Sequence, residues 1–223
     1  MSLSLLALLP LLTAAAPPPT LIFVENFDGP NVAGWTLGPE WEIGRVRTKS
    51  GHGHGNPDPE RDHTGREGNG VAGVRIGGNA GSSPHSEPFW LTSPVIPVTG
   101  ARQVTLHFER WLNSDQAPYM TNSVEVWNGT RWETVWQAER GERLEDSSWT
   151  HQSYDITPHQ NAALRVRFGF SRQPGAFVGS SWNLDDVRVE AIHDMKASAD
   201  APWMWWGAAI LAGLAFLPFR SSR

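Results

Sequence analysis

The chain has 223 residues, with 18 Lys and Arg against 23 Asp and Glu, a formal net charge of −5 and no Cys. Disulfides and thiolate-held zinc are thereby excluded, and with no basic stripe or aromatic–basic RNA motif, nucleic acid is not an expected partner. The length suits one domain whose core stands without staples.

Residues 1–19, MSLSLLALLPLLTAAAPPP, run from Leu and Ala into the small residues Ala14, Ala15 and Ala16. This predicts a secretory signal peptide. The leader carries no Lys or Arg, and an uncleaved N-terminal anchor is the alternative. TLIFVENF then predicts a first strand in which Glu25 shares the face of Phe23 and Phe27, with Asp28 just beyond. Residues 50–69, SGHGHGNPDPERDHTGREGN, read as a loop. So long a structureless stretch needs something to hold it. It brings Asp58 and Asp62 close to His52, His54 and His63, which are read as solvated rather than as zinc ligands because rigid sites need supported side chains.

Beyond the loop the pattern is period two. GVAGVRIG, FWLTSPVIPV and WTHQSYDI read as strands; RQVTLHFERW alternates Val104, Leu106 and Phe108 with Thr105, His107 and Glu109. VEVWNGTRWETVW is a hairpin around Asn128-Gly129, and ALRVRFGF alternates Leu164, Val166, Phe168 and Phe170 with arginines. No amphipathic helix interrupts this series. The expected fold is all-β, a two-sheet antiparallel sandwich over residues 20–192. A linker over 193–202 leads to the apolar run 203–219, Trp-rich at its entry, and to a basic tail over 220–223. That run predicts a single transmembrane helix with the domain outside the cytoplasm. The same arrangement is similar to bacterial C-terminal sorting tags, in which case a membrane protease is a partner.

In the last strand, WNLDDVRVEA, unbroken alternation places Asp185 in line with Val187 and Val189. A carboxylate among valines must be protonated, paired or metal-bound. Termini of a sandwich commonly lie close, so Glu25 and Asp185 are expected to meet, with Asp62 from the loop and with Asp28 and Asp186 as further ligands. A hard cation, calcium, suits such an all-oxygen set. The alternative is that Asp185 accepts backbone N–H bonds and Glu25 pairs with an Arg.

The succession VENFDG, GWTLGPEWEIG, RDHTGREGNGVAGV, LTSPVIPVTG and WNLDDVRV resembles the MAM-like domains of bacterial secreted and surface proteins across about residues 21–191. The resemblance implies a concanavalin-like jelly roll with a structural cation held by Glu25, Asp62 and Asp185 or Asp186. Animal members are usually braced by disulfides, absent here, so homophilic adhesion does not carry over.

For function, the Glu-x-Asp-x-x-Glu motif of laminarinase-like enzymes is absent, as are G-x-S-x-G, H-E-x-x-H and a phosphate loop. No catalytic residue is assigned. Twelve Trp are many for one domain. Trp127, Trp132 and Trp136 on the hairpin are the candidate ligand-binding residues, since exposed indoles stack on sugars and anchor protein interfaces; cross-strand packing is the alternative. The sequence predicts a bacterial, extracytoplasmic, membrane-anchored adhesion module that recognises a glycan or surface protein. A secreted polysaccharide hydrolase and a purely structural envelope protein are the alternatives.

Overall fold

The computed structural model describes residues 17–29, 34–48, 53–65, 68–79, 83–177, 179 and 182–194. The expected leader up to residue 16 and the run over 203–219 lie outside the described residues. Among the described residues, no helix is long and apolar enough to cross a membrane. The chain divides into two units, Met1–His193 and Asp194–Arg223, and every described strand belongs to the first.

Twelve strands are described in it: β1 (Thr20–Glu25), β2 (Thr36–Leu37), β3 (Trp41–Arg45), β4 (Gly70–Val74), β5 (His85–Thr92), β6 (Gln103–Ser114), β7 (Met120–Trp127), β8 (Trp132–Gln137), β9 (Leu144–Glu145), β10 (Thr150–Asp155), β11 (Val166–Arg172) and β12 (Trp182–Ile192). The single helical element described is a 3₁₀ turn over Thr157–His159. All strand pairings are antiparallel. One sheet has seven strands in the order β10-β6-β12-β4-β3, with β1 also on β12 and β9 on β6; the other has five, β2-β5-β11-β7-β8. The expectation of an all-β, two-sheet antiparallel sandwich therefore holds.

The core lies between the sheets, where Val104, Leu106, Phe108 and Leu112 of β6 meet Phe168 and Phe170 of β11 and Val124 and Val126 of β7. Trp182 is 1% exposed and its ring packs against Trp41, Trp136 and Phe168. With these side chains inward, alternation turns Thr105, His107, Glu109, Trp111 and Asn113 of β6 to the outer face of the seven-stranded sheet. The partition follows the hydrophobic pattern, because burying the apolar set is the dominant favourable term in folding.

Strand β12 runs along β6 on one side. On the other side it pairs first with β4, at Asn183 and Leu184, and then with β1, from Val187 to Ala191. At the changeover its register against β6 slips by one residue, between Asp185 and Arg188, and Asp186 takes a φ of +48°. This is a β-bulge with its extra residue in the left-handed region, which Asp tolerates better than most residues.

The bulge corrects the predicted phase. Trp182 and Leu184 face the core before it, and Val187, Val189 and Ala191 after it. Asp185 is therefore on the outer face with Asn183, not on the face of the valines. Glu25 pairs with Val187 in the register, on the inner side. First- and last-strand acids thus leave the sheet on opposite sides, because one extra residue inverts the parity of everything beyond it.

A second bulge does the same on the hairpin. Trp132 pairs with Trp127 and Thr134 with Glu125, but Trp136 pairs with Val124 after a slip at Val135. Trp136 is turned inward against Trp182 and the core. Its expected place beside Trp127 and Trp132 is corrected accordingly.

Candidate functional site

The loop before β4 is not structureless hanging chain. Its described part, residues 53–65, lies over the outer face of the seven-stranded sheet and is tied there by side chains of that sheet. Asn113 Oδ1 accepts a hydrogen bond from Asn56 N at 2.8 Å. The indole N–H groups of Trp111 and Trp149 donate to Pro57 O at 3.1 Å and to Arg61 O at 3.0 Å. The two rings meet edge to face, with centroids 5.8 Å apart. Because both N–H groups are engaged, the rings hold one orientation without further ordering cost.

Asp185 makes the strongest of these ties. It is 0% exposed. Its Oδ2 accepts from His63 N at 2.8 Å, from Thr64 N at 3.2 Å and from Thr64 Oγ1 at 3.3 Å, while Oδ1 accepts from Asp186 N at 2.7 Å. Burial and the neighbouring Asp186 charge push its carboxyl up to about 7, against the lowering effect of the three N–H donors. Asp186 reaches the same loop, accepting from Thr64 Oγ1 at 2.9 Å and lying 2.7 Å from His63 Nδ1. Burial lowers the His63 pKa, but the Asp186 bond and the charges of Glu109, Asp186 and Asp185 outweigh it and leave the imidazole above its ordinary value.

The five candidate metal ligands fall into separate groups. Asp185 and Asp186 share the His63–Thr64 corner. Glu25 Oε1 accepts from its own strand end, Phe27 N, at 2.8 Å. Asp28 Oδ1 accepts from Gly70 N at 2.9 Å, joining the end of β1 to the start of β4. Asp62 stands beside Asp28: it is 5% exposed, its Oδ1 accepts from Gly65 N at 2.8 Å, and its buried Oδ2 accepts no hydrogen bond. Burial, the Asp28 charge and a side-chain hydrogen bond shared with Asp28 raise its pKa against the lowering bonds from Gly65 and Asn69. No three described His, Asp or Glu groups are arranged to hold a metal ion. The expected five-acid set does not fit one cation. Asp28 and Asp62 remain as one pair of adjacent carboxylates, with Asp62 Oδ2 buried.

Between loop and sheet opens a cleft of about 480 Å³, lined by Trp111, Trp149, Asn56, Glu60, Arg61 and Asp62 among others. Two indoles with amide, carboxylate and guanidinium groups in a space of this size are the make-up of a small-ligand site. Sequence reading did not single out Trp111 and Trp149. The available signal was parity: Trp111 is an aromatic on the outward, polar side of β6 with His107 and Glu109, and Trp149, just before β10, is in phase with His151 and Ser153.

The hairpin carries a second hollow, about 350 Å³, lined by Trp127, Trp132, Ala163 and Arg165. Trp127 and Trp132 meet edge to face at 5.6 Å. The Arg167 guanidinium lies 4.1 Å from the Trp132 ring centroid and 3.8 Å from that of Trp90, and is paired with Glu125. One face of Trp132 is thus already occupied by a cation–π contact.

No protein-family model matches the chain, and no curated protein matches its sequence. Among solved structures the neighbours include carbohydrate-binding modules, adhesin domains and the enzymatically active domain of a bacteriophage tailspike protein. The chain is similar to the CBM27-1 module of Caldicellulosiruptor saccharolyticus in complex with mannohexaose, with a TM-score of 0.48, 11% identity and coverage of 78% of this chain and 97% of that one. It is similar to the CBM22-1 xylan-binding domain of Paenibacillus barcinonensis Xyn10C at a TM-score of 0.45 and 13% identity, over 80% and 99% of the two chains. The K1 cleaved adhesin domain of Lys-gingipain from Porphyromonas gingivalis gives a TM-score of 0.43 and 13% identity, over 75% and 96%. Likenesses at this level assign neither family nor function.

Proposed function

We propose that the domain is a non-catalytic glycan-binding module and that the Trp111–Trp149 cleft is its binding site. The observation that carries this is the pair of indoles locked by their own N–H groups beside Asn56, Glu60 and Arg61. Fixed indoles offer apolar surface to the C–H faces of a sugar, and the loop offers donors and acceptors to its hydroxyls. The motif order that resembles MAM-like domains, with the leader and the membrane span expected from the sequence over 1–19 and 203–219, extends the reading to a MAM-like module anchored outside the cytoplasm, at the cell surface.

The test is affinity electrophoresis of the full chain in gels containing soluble polysaccharides, with calorimetry on any that retard it. Trp149→Ala is expected to weaken binding at least tenfold, in line with the 2 kcal/mol or more by which truncation marks a hot spot. Trp132→Ala, on the opposite sheet, should leave it unchanged. The reverse pattern would move the site to the hairpin hollow. Binding to no polysaccharide would remove the glycan reading.

Calcium enters at the Asp28–Asp62 pair. A cation there would neutralise two adjacent carboxylates, engage the orphaned Asp62 oxygen, and take its remaining oxygens from backbone and water. Asp62 also lines the cleft, so the ion would brace the loop wall against which the sugar binds. The melting temperature is expected to rise by several degrees from chelator to millimolar calcium but not with magnesium, by ligand linkage. The rise should vanish in Asp62→Asn. An unchanged melting temperature in wild type would dismiss the ion.

A further inference from the structure

The outer face of the seven-stranded sheet carries an arrangement that the glycan and calcium readings leave unused. His107 of β6 and His151 of β10 project from it one register step apart, since His151 pairs with Glu109 and Ser153 with His107. Their rings are tilted by 23°, with centroids 5.4 Å apart, and His107 Nδ1 faces His151 Nε2 at 3.4 Å.

The far nitrogen of each ring faces a carboxylate. His151 Nδ1 lies 2.7 Å from Glu109 Oε1, a bond in which the imidazole N–H donates to a carboxylate that is itself buried. His107 Nε2 lies 3.8 Å from Glu190 Oε2. A neutral imidazole has one N–H and one lone pair. The Glu109 bond fixes the proton of His151 on Nδ1 and leaves a lone pair on its Nε2, to which His107 Nδ1–H donates in the metal-free protein. A metal ion would take the place of that bridging proton, with the His107 proton moved to Nε2 on the side of Glu190.

The geometry points to a binding site for a divalent first-row transition metal, of the zinc and copper(II) class, between His107 Nδ1 and His151 Nε2. Imidazole nitrogens at about 2.0–2.1 Å from a tetrahedral ion stand roughly 3.4 Å apart, which is the separation here. Metal-bound His almost always donates its other N–H to a carboxylate or carbonyl, which fixes the tautomer and raises ligand basicity; Glu109 already stands so to His151, and Glu190, 3.8 Å from His107 Nε2, reaches it with a small side-chain movement. The charged groups around the pair are these two carboxylates and Arg188, whose Nε is bound to Glu190 Oε1 at 3.1 Å. The local balance is one negative charge in favour of a cation. Imidazole as the only protein donor selects zinc, copper or nickel over calcium and magnesium, and water fills the other positions at this exposed face.

The test is isothermal titration of the full chain with zinc chloride in the presence of millimolar calcium, with copper(II) electron paramagnetic resonance as a second readout. One zinc ion per chain is expected, and a copper spectrum with nitrogen hyperfine structure. His151→Ala, at an exposed position, should lower zinc affinity at least tenfold, as should His107→Ala. Glu109→Gln should lower it roughly 10–100-fold, the usual cost of losing such a carboxylate. A His107→Gln/His151→Gln variant that melts with wild type yet loses the nitrogen hyperfine pattern separates ligation from folding. Unchanged affinity in the His107→Ala/His151→Ala pair would place the metal elsewhere, on the loop histidines for example, and would overturn the site. So would the absence of stoichiometric binding.

Discussion

Asp185→Asn is expected to cost about 3 kcal/mol of stability, and to cost the same in calcium as in chelator. Every hydrogen-bonding neighbour of this carboxylate is a donor: Asp186 N, His63 N, Thr64 N and Thr64 Oγ1. An asparagine keeps one oxygen and replaces the other by an NH₂ group, so whichever way it turns, N–H meets N–H. A buried donor is left without an acceptor, which costs about 1–3 kcal/mol. For a domain of this size that loss lowers the melting temperature by roughly 6–12 °C. A loss confined to calcium buffer would restore Asp185 to the metal set and refute the corner described here.

The same residue sets a pH dependence. Its carboxyl ordinarily titrates near 3.8 and in the fold near 7. Between those values the unfolded chain is ionised at this position while the folded chain holds a proton, so folding takes up a proton. Its contribution to stability is therefore fully present below about 4, declines as pH rises towards 7 and is level above. Melting temperatures of wild type and Asp185→Asn, compared from pH 4 to 8, should have a difference that changes over that window and stays flat beyond it. A constant difference would mean that the four donors hold the carboxylate ionised throughout.

The second large effect is expected at Gly70, where β1 hands over to β4. A Cβ there would stand 2.6 Å from the carbonyl carbon of Phe27, with the carbonyl oxygen closer still and Asp28 Cα at 3.1 Å. These are backbone atoms, so no rotamer change relieves the contact. Phe27 is itself held at a φ of +56°, an uncommon conformation for a bulky residue. Gly70→Ala must push the Phe27–Asp28 corner away from β4 and stretch the Gly70 N–Asp28 Oδ1 bond. The cost is placed at about 3 kcal/mol, the upper end of overpacking penalties, read as a fall in melting temperature. Because Asp28 moves with the corner, the calcium-dependent rise should shrink as well. Gly44→Ala is the control: its nearest neighbour would be Ile76 Cδ1 at 4.0 Å, and near-neutral behaviour is expected. Equal losses at both positions would show that the cost does not come from the Phe27 contact.

Local alternation in the sequence determined the fold class and most of the inward set. Leu106, Phe108, Phe168, Phe170 and Val189 are core residues, and the flanking alternation marks each of them as inward. The sequence also marked the acids near the last strand and the long loop as belonging to one problem. Tertiary structure decided how that problem is solved. Asp186 and Val135 are single extra residues that pair with nothing, and each reverses which face the following side chains occupy, so Asp185 is outside and Trp136 inside. Parity read along a strand has no way to register such a slip, because a bulge is set by what lies alongside: β12 bulges where β4 gives way to β1, a junction between segments about fifty residues apart in sequence. The Trp111–Trp149 cleft has the same origin. Its two indoles are visible as aromatics on polar faces, but the cleft exists only once the loop has folded onto them, held by donors and acceptors from β6, β10 and β12.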